Sequence, residues 1–123
     1  RLHEDRPVWR LNWTILDDPA LHLPAPGSQE RPQAAGADLG ERLWFRVERQ
    51  TLRRLARSGD IAFTVRTYVT NLGDLVDTDS SVAGALLASL PTVPSETVIY
   101  KGWDRMLPEL LVWLRHLDDG PGR

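Results

Sequence analysis

Arginine and glutamate side chains are concentrated in one short run of the sequence. Residues 46–55 read Arg-Val-Glu-Arg-Gln-Thr-Leu-Arg-Arg-Leu. Within and just beyond this run, four planar guanidinium groups can each hold a carboxylate through paired hydrogen bonds: Arg46, Arg49, Arg53 and Arg66. Glu48 can hold an amine cation or move a proton. The pattern therefore indicates an anion clamp beside one acidic group.

The same run also has a purely structural interpretation. Arginines and a glutamate that alternate along a strand can pair with each other at the surface, where each pair contributes less than about 1 kcal/mol to stability. Both interpretations stay open on the residues alone. A nucleic-acid interface is disfavoured, because the formal net charge is -2 and no recognised binding motif surrounds the run.

Other constellations of catalytic or metal-binding residues are absent from the sequence. There is no cysteine, which excludes disulfides, thiolate metal ligands and a cysteine nucleophile. His3, His22 and His116 lack the spacing of a metal site, and we expect exposed or helix-capping roles for them. No Ser/His/Asp set, P-loop or dinucleotide-binding fingerprint is present. The sequence thus predicts no metal ligands of its own.

Bulk composition sets the size and environment of the protein. The chain has 123 residues, of which 41% are hydrophobic, enough for one domain or a piece of one. No run approaches the roughly 18 to 20 apolar residues that span a bilayer, and residues 1–6 are charged rather than a signal peptide. We therefore expect a cytoplasmic protein without a membrane partner.

Periodicity locates the elements that must position the charged run. Three segments alternate between apolar and polar residues, as half-buried strands do: Pro7–Leu16, Leu43–Gln50 and Ile61–Thr70. Apolar residues at helical spacing predict helices over Asp79–Leu90 and Asp104–Leu117.

The remaining segments are predicted from local composition. Residues 24–40 are rich in proline and glycine and are typical of a loop. We predict a short helical turn at Thr51–Leu55, turns at Arg57–Asp60 and Asn71–Asp74, and a short edge strand at Ser95–Lys101.

Strands joined by short connections and followed by helices predict an α+β fold, in which helices cover one face of a mostly antiparallel sheet. Side chains alternate across each strand. If the strands pair as their alternation suggests, one concave polar surface collects the following residues: Arg10, Asn12, Arg46, Glu48, Gln50, Thr64, Arg66 and Tyr68.

Several motifs together resemble the alpha subunit of the heme-dependent oxidative N-demethylases and its bacterial relatives. They occur in the order that the family has: Trp9–Thr14, Asp17–Leu21 with Pro24, Arg46–Leu55, Ile61–Tyr68 and Tyr100–Gly102. The resemblance covers most of the chain, and the Arg-x-Glu-Arg-Gln-Thr-Leu run is its most specific part. Ala56 and Arg57 depart from it, because relatives often have a proline there.

The resemblance implies a PAS-like fold that holds heme b. It also implies an oxidation in which molecular oxygen removes a methyl group from a small secondary amine such as dimethylamine, with release of formaldehyde. By the same resemblance, the forks of Arg46, Arg49, Arg53 and Arg66 would hold the heme propionates. Glu48 or Tyr68 would lie near the substrate. Electron-transfer subunits are the protein partners that this chemistry suggests.

One part of the family pattern is missing. The family domain is longer, and its earlier part, which has a histidine in an Ile-His-x-Pro-Val-Pro-like segment, has no counterpart here. We therefore expect residues 1–123 to form a single domain or the C-terminal fragment of a larger heme-binding PAS-like domain, with the axial ligand outside this chain. A non-catalytic PAS-type sensor of a ligand or heme, and a structural domain, are the alternatives.

Overall fold

The three predicted strands form one antiparallel sheet in a computed structural model of the chain. The structure describes residues 2–21 and 38–120, so the predicted loop at 24–40 lies almost wholly outside the described residues. The strands are β1 (Val8–Leu16), β2 (Trp44–Arg54) and β3 (Ile61–Asn71), and their order in the sheet is β1-β2-β3. Each strand pairs with the next one in sequence, as consecutive strands usually do.

The helices follow mostly after the sheet. They are α1 (Leu39–Arg42), α2 (Leu72–Thr78), α3 (Ser81–Ser89), α4 (Ser95–Tyr100) and α5 (Leu107–Asp118), with a 3-10 turn at Leu90–Thr92 between α3 and α4. This arrangement confirms the predicted α+β class and is compatible with a PAS-like fold. None of the described helices is long and apolar enough to cross a membrane.

The hydrophobic core lies between the helices and one end of the sheet. The helical segments supply most of it, and the sheet contributes buried Ile15 together with the partly buried rings of Trp13 and Phe45. The largest fully buried side chains are Trp103, Ile15, Leu72, Leu90, Leu110 and Leu114. The other end of the sheet, where β2 turns into β3, therefore extends away from the core.

The turn predicted at Arg57–Asp60 connects β2 to β3, and Gly59 adopts a positive φ of 76° there. The helical turn predicted at Thr51–Leu55 was wrong, because β2 continues to Arg54. Thr51, for example, pairs with Trp9 on one side and Thr64 on the other. Pairing on both sides of a central strand outweighs a weak local preference for helix.

Two other segments predicted as turn or strand are helical. Asn71 accepts a hydrogen bond from the Asp74 N–H at 3.2 Å and so caps α2 where we predicted only a turn. The edge strand predicted at Ser95–Lys101 was also wrong. The N–H groups of Thr97 and Val98 both bond to the carbonyl oxygen of Pro94, which starts α4.

The start of α5 differs from prediction, and α1 was not predicted. α5 begins at Leu107 rather than at Asp104, and Pro108 occupies its first turn, where its missing N–H costs little. α1 includes Gly40, the last residue of the predicted loop.

Candidate functional site on the sheet

The strand register divides the predicted site residues between two faces. Directly paired residues of antiparallel strands point to the same face. Glu48 is opposite Asn12 and Thr67, whereas Tyr68 is opposite Val47. The predicted convergence on one concave surface was therefore wrong, because a one-residue difference in register turns every side chain of β3 to the other face.

We name the two faces by the predicted catalytic residue that each one carries. The glutamate face includes Arg10, Asn12, Arg46, Glu48 and Gln50. The tyrosine face includes Trp9, Leu11, Arg49, Arg53, Thr64, Arg66 and Tyr68. The six predicted site residues therefore separate into two groups, with Arg46 and Glu48 on one face and the other four on the opposite face.

On the glutamate face, polar side chains form a connected row. Arg10 Nε donates to Gln50 Oε1 at 2.8 Å, and Gln50 Nε2 donates to Glu48 Oε2 at 3.1 Å. The other oxygen of Glu48 lies 3.2 Å from Arg46 Nη2. Both carboxylate oxygens of Glu48 thus already have partners within the sheet, as the structural interpretation of the run predicts.

Arg46 is held in place on the glutamate face. Its side chain is 17% exposed, and Nη1 donates to the carbonyl oxygen of Leu21 at 3.3 Å. Its Nε atom is buried and has no hydrogen-bond partner in the structure. Because Nη1 and Nη2 each already have a partner and Nε is buried, Arg46 has little capacity left for an external carboxylate.

Two arginines face each other on the tyrosine face. Arg49 of β2 pairs directly with Arg66 of β3. Within the described residues, neither one forms a salt bridge to a carboxylate. Like charges directly opposite each other on a sheet are destabilising, so this arrangement favours a bound anion that neutralises both guanidinium groups.

Aromatic and aliphatic side chains surround the Arg49–Arg66 pair. The Cζ atom of Arg49 lies 5.3 Å from the ring centroid of Trp9, and that of Arg66 lies 5.3 Å from the ring centroid of Tyr68. Trp9, Leu11 and Tyr68 are 56%, 58% and 46% exposed. The tyrosine face thus combines apolar surface with two positively charged forks.

Arg53 lies on the tyrosine face, nearer the turn between β2 and β3. Its Nε atom donates to the carbonyl oxygen of Glu4 at 3.3 Å. Arg53 is therefore connected to the segment before β1 and is not a direct member of the Arg49–Arg66 pair.

Metal-ligating side chains do not cluster in the part of the chain that the structure describes. Across residues 2–21 and 38–120, no group of three or more His, Cys, Asp or Glu residues is placed to hold a metal ion. His3 and His116 are both exposed, and His22 lies outside the described residues.

Lys101 and Trp103 have a role that the sequence interpretation missed. Lys101 Nζ donates to the carbonyl oxygen of Trp13 at 2.6 Å and lies 5.1 Å from the ring centroid of Trp103. Desolvation by burial lowers the pKa of Lys101, and the negative charge of Glu48 opposes that change. The family-like Tyr-Lys-Gly motif therefore helps to cover the outer edge of β1.

Comparison with known families agrees with the sequence resemblance. A family model described as "Haem-dependent oxidative N-demethylase, alpha subunit-like" matches residues 1–111. The match includes all three strands and the arginine-rich run, together with α1 to α4 and part of α5. The chain belongs to the haem-dependent oxidative N-demethylase, alpha subunit-like family.

Proposed function

We propose that this protein takes part in the heme-dependent oxidative demethylation of a small secondary amine such as dimethylamine. The description of its family supports a heme-dependent oxidoreductase. The observation on this chain that carries the proposal is the Arg49–Arg66 pair, two guanidinium groups on an amphipathic face that form no salt bridge within residues 2–21 and 38–120.

The chemistry of the tyrosine face fits heme b. Heme b has a flat apolar ring and two propionate groups, and arginine forks suit carboxylates because they can form paired, charge-assisted hydrogen bonds. Arg49 and Arg66 would hold the propionates. Trp9 and Leu11 would cover part of the ring, and apolar burial of this kind contributes about 25 cal/mol per Å².

We infer that the axial ligand comes from outside the described residues. His3 and His116 are exposed, and neither belongs to the tyrosine face. This inference accords with the proposal that residues 1–123 form the C-terminal part of a larger heme-binding, PAS-like domain.

When bound, the heme iron supplies the redox and oxygen chemistry of the reaction. The residues of this chain would orient the substrate and control protons beside it. The Tyr68 hydroxyl is on the same face as the Arg49–Arg66 pair and can donate a hydrogen bond or accept one from an amine. We therefore propose Tyr68 as the side chain next to the substrate.

Glu48 has a different position relative to this proposed site. It lies on the opposite face of the sheet from Arg49 and Arg66, and Arg46 and Gln50 already engage its oxygens. We propose that Glu48 positions these neighbours. If it instead holds the amine cation, Glu48→Gln will raise KM for the amine, whereas a positioning role predicts lower stability with unchanged KM.

The alpha-subunit description of the family implies further subunits. We propose that these include an electron-transfer partner and that the complex works in the cytoplasm. A pull-down with the holo-protein as bait, followed by assay of the captured redox cofactors, tests whether an electron-transfer partner binds.

Turnover by the heme-loaded protein tests the proposed activity. Oxygen consumption and formaldehyde release that both depend on dimethylamine are the expected results, and Tyr68→Phe should lower kcat. Heme binding without turnover in the presence of its electron donor would contradict the demethylase proposal and favour a sensor. Failure to bind heme would contradict both functions.

A further inference from the structure

One row of side chains across the tyrosine face lies directly beside the arginine pair. Trp13 of β1 pairs with Val47 of β2, and Val47 pairs with Tyr68 of β3. Residues that follow each other on one face of a strand are about 7 Å apart. This row therefore lies about 7 Å from the row that contains Arg49 and Arg66, on the side toward the hydrophobic core.

The middle of this row is a depression between two rings, because valine is much smaller than tryptophan or tyrosine. The Leu72 N–H bonds to the Leu43 carbonyl oxygen, and the alternation of antiparallel ladders then makes Val47 and Tyr68 a hydrogen-bonded pair. Since the backbone groups of Val47 point toward β3, Trp13 and Val47 form a non-hydrogen-bonded pair, in which side chains lie closer together. The depression is therefore narrow on its Trp13 side.

Neighbouring side chains hold the Trp13 wall of the depression in place. The ring centroid of Trp13 lies 5.6 Å from that of Phe45 and 5.5 Å from that of Trp103. Lys101 Nζ lies 5.8 Å from the centroid of the Trp13 ring and donates to the Trp13 carbonyl oxygen at 2.6 Å. These contacts fix the ring beside Val47, so a ligand cannot easily push it aside.

The other wall, Tyr68, supplies the polar group of the depression. The guanidinium group of Arg66 lies 5.3 Å from its ring centroid and helps to orient it. The Tyr68 hydroxyl can accept a hydrogen bond from an amine N–H. With the nitrogen of a small amine at this hydroxyl, a methyl group has room above Val47. A longer N-alkyl chain would meet the Trp13 ring.

We propose that Val47 and Trp13 set the size limit for the amine, admitting N-methyl groups and rejecting longer N-alkyl chains. This inference rests on the proposed demethylase function and names the residues that select its substrate. Val47→Ala removes two methyl groups and widens the depression, so larger amines gain affinity. Val47→Ile adds one methyl group and narrows it, so even dimethylamine loses affinity.

Binding calorimetry on the larger heme-loaded protein that contains this segment tests the size limit. The probes are dimethylamine and N-ethylmethylamine, which is one methylene larger. The wild type should bind dimethylamine about ten-fold more tightly, as one methylene in a fitted apolar pocket usually decides, and Val47→Ala should abolish most of this preference. Val69→Ala is the matched control, because Val69 is also half-buried but lies on the glutamate face opposite Arg46. It should keep the wild-type preference.

The ratio of the two dissociation constants separates a size limit from a general loss of stability, which would weaken both amines alike. Val47→Ile gives a second test that creates no cavity and keeps a β-branched residue in the strand. An unchanged ratio in Val47→Ala together with unchanged dimethylamine binding in Val47→Ile would overturn this inference and leave the proposed function intact. Failure of the wild type to bind either amine would overturn both.

Discussion

The indole N–H of Trp103 donates to the carbonyl oxygen of Ile15 at 2.9 Å, joining residues 88 apart in sequence. Lys101 makes the equivalent contact with Trp13, two residues earlier on each side. Together they cover the outer edge of β1 where the core begins. The two edges of the sheet thus differ, because the edge of β3 lacks such a cover within the described residues.

The Trp103–Ile15 bond should contribute measurably to stability. Trp103 is 1% exposed, so Trp103→Phe leaves a buried carbonyl oxygen without its partner and creates a small cavity. We expect a loss of about 1–3 kcal/mol in the free energy of unfolding, measured by urea denaturation. Trp9→Phe, on the exposed face, should change it by less than about 0.5 kcal/mol. Equal losses for the two variants would argue against this role of the indole N–H.

Gly40 marks a close approach between α1, α2 and α5. A Cβ atom at Gly40 would lie 2.6 Å from Trp113 Cζ2 and 3.0 Å from the backbone of Gly73. Gly40→Ala should therefore destabilise the protein by about 1–3 kcal/mol. At Gly84 in α3 the nearest atom would be 3.5 Å away, so Gly84→Ala should instead stabilise the helix by about 0.5–1 kcal/mol. Thermal unfolding should show a lower melting temperature for Gly40→Ala and a higher one for Gly84→Ala. Similar shifts in melting temperature would contradict the close packing at Gly40.

The Lys101 ammonium group should make stability depend on pH in the alkaline range. Burial lowers its pKa below the ordinary value of 10.5, so the unfolded chain binds the proton more tightly than the folded one. Between the lowered pKa and 10.5, the free energy of unfolding should rise with pH because of this group. Lys101→Met removes the effect. Subtracting its stability profile from that of the wild type should reveal the rise, and a difference that falls with pH would contradict the burial.

Asp79 should contribute in the acid range, where its lowered pKa again makes the free energy of unfolding rise with pH. Hydrogen bonds from the hydroxyl and the backbone N–H of Ser81 lower the pKa of this carboxyl below 3.8. The stabilisation is present above pH 3.8 and is lost as the pH falls through the lowered pKa. Ser81→Ala removes the hydroxyl hydrogen bond, which is the larger cause of the lowered pKa. Acid unfolding monitored by circular dichroism should show that the stabilities of the wild type and Ser81→Ala converge at low pH. A stability difference that grows as the pH falls would refute the role of Ser81 in lowering the pKa of Asp79.

Periodicity was sufficient to predict the three strands and the fold class. Alternating residues such as Phe63, Thr64 and Val65 specify which side chains share a face within one strand. They do not specify which residues of the neighbouring strand share that face. That depends on turn length and pairing, which is why Glu48 and Tyr68 were predicted together and lie on opposite faces.

The local errors arose where tertiary contacts outweighed propensity. Val98 is β-branched and predicted a strand, but the proline before this segment starts a helix that packs Val98 against the core. The Arg49–Arg66 contact could not be predicted either, since it depends on the register between β2 and β3. The arginine forks themselves were recognised from residue type alone.

Heme binding tests the central claim most directly, and Arg49→Ala is the most informative variant. Arg49 lies on the central strand and directly opposite Arg66, so its loss should weaken heme binding. Removing one of two opposed charges should also leave the apo-protein at least as stable. Arg105→Ala, at an exposed position before α5, is the control.

The measurement is an absorbance titration with heme of the larger protein that contains this segment and its axial ligand, with unbound heme removed before each spectrum, followed by addition of dimethylamine. The account predicts a Soret band that shifts with the amine in the wild type and in Arg105→Ala, together with weaker heme retention in Arg49→Ala at unchanged stability. A protein that stays colourless after heme is added, or an Arg49→Ala variant that retains heme as the wild type does, would contradict it.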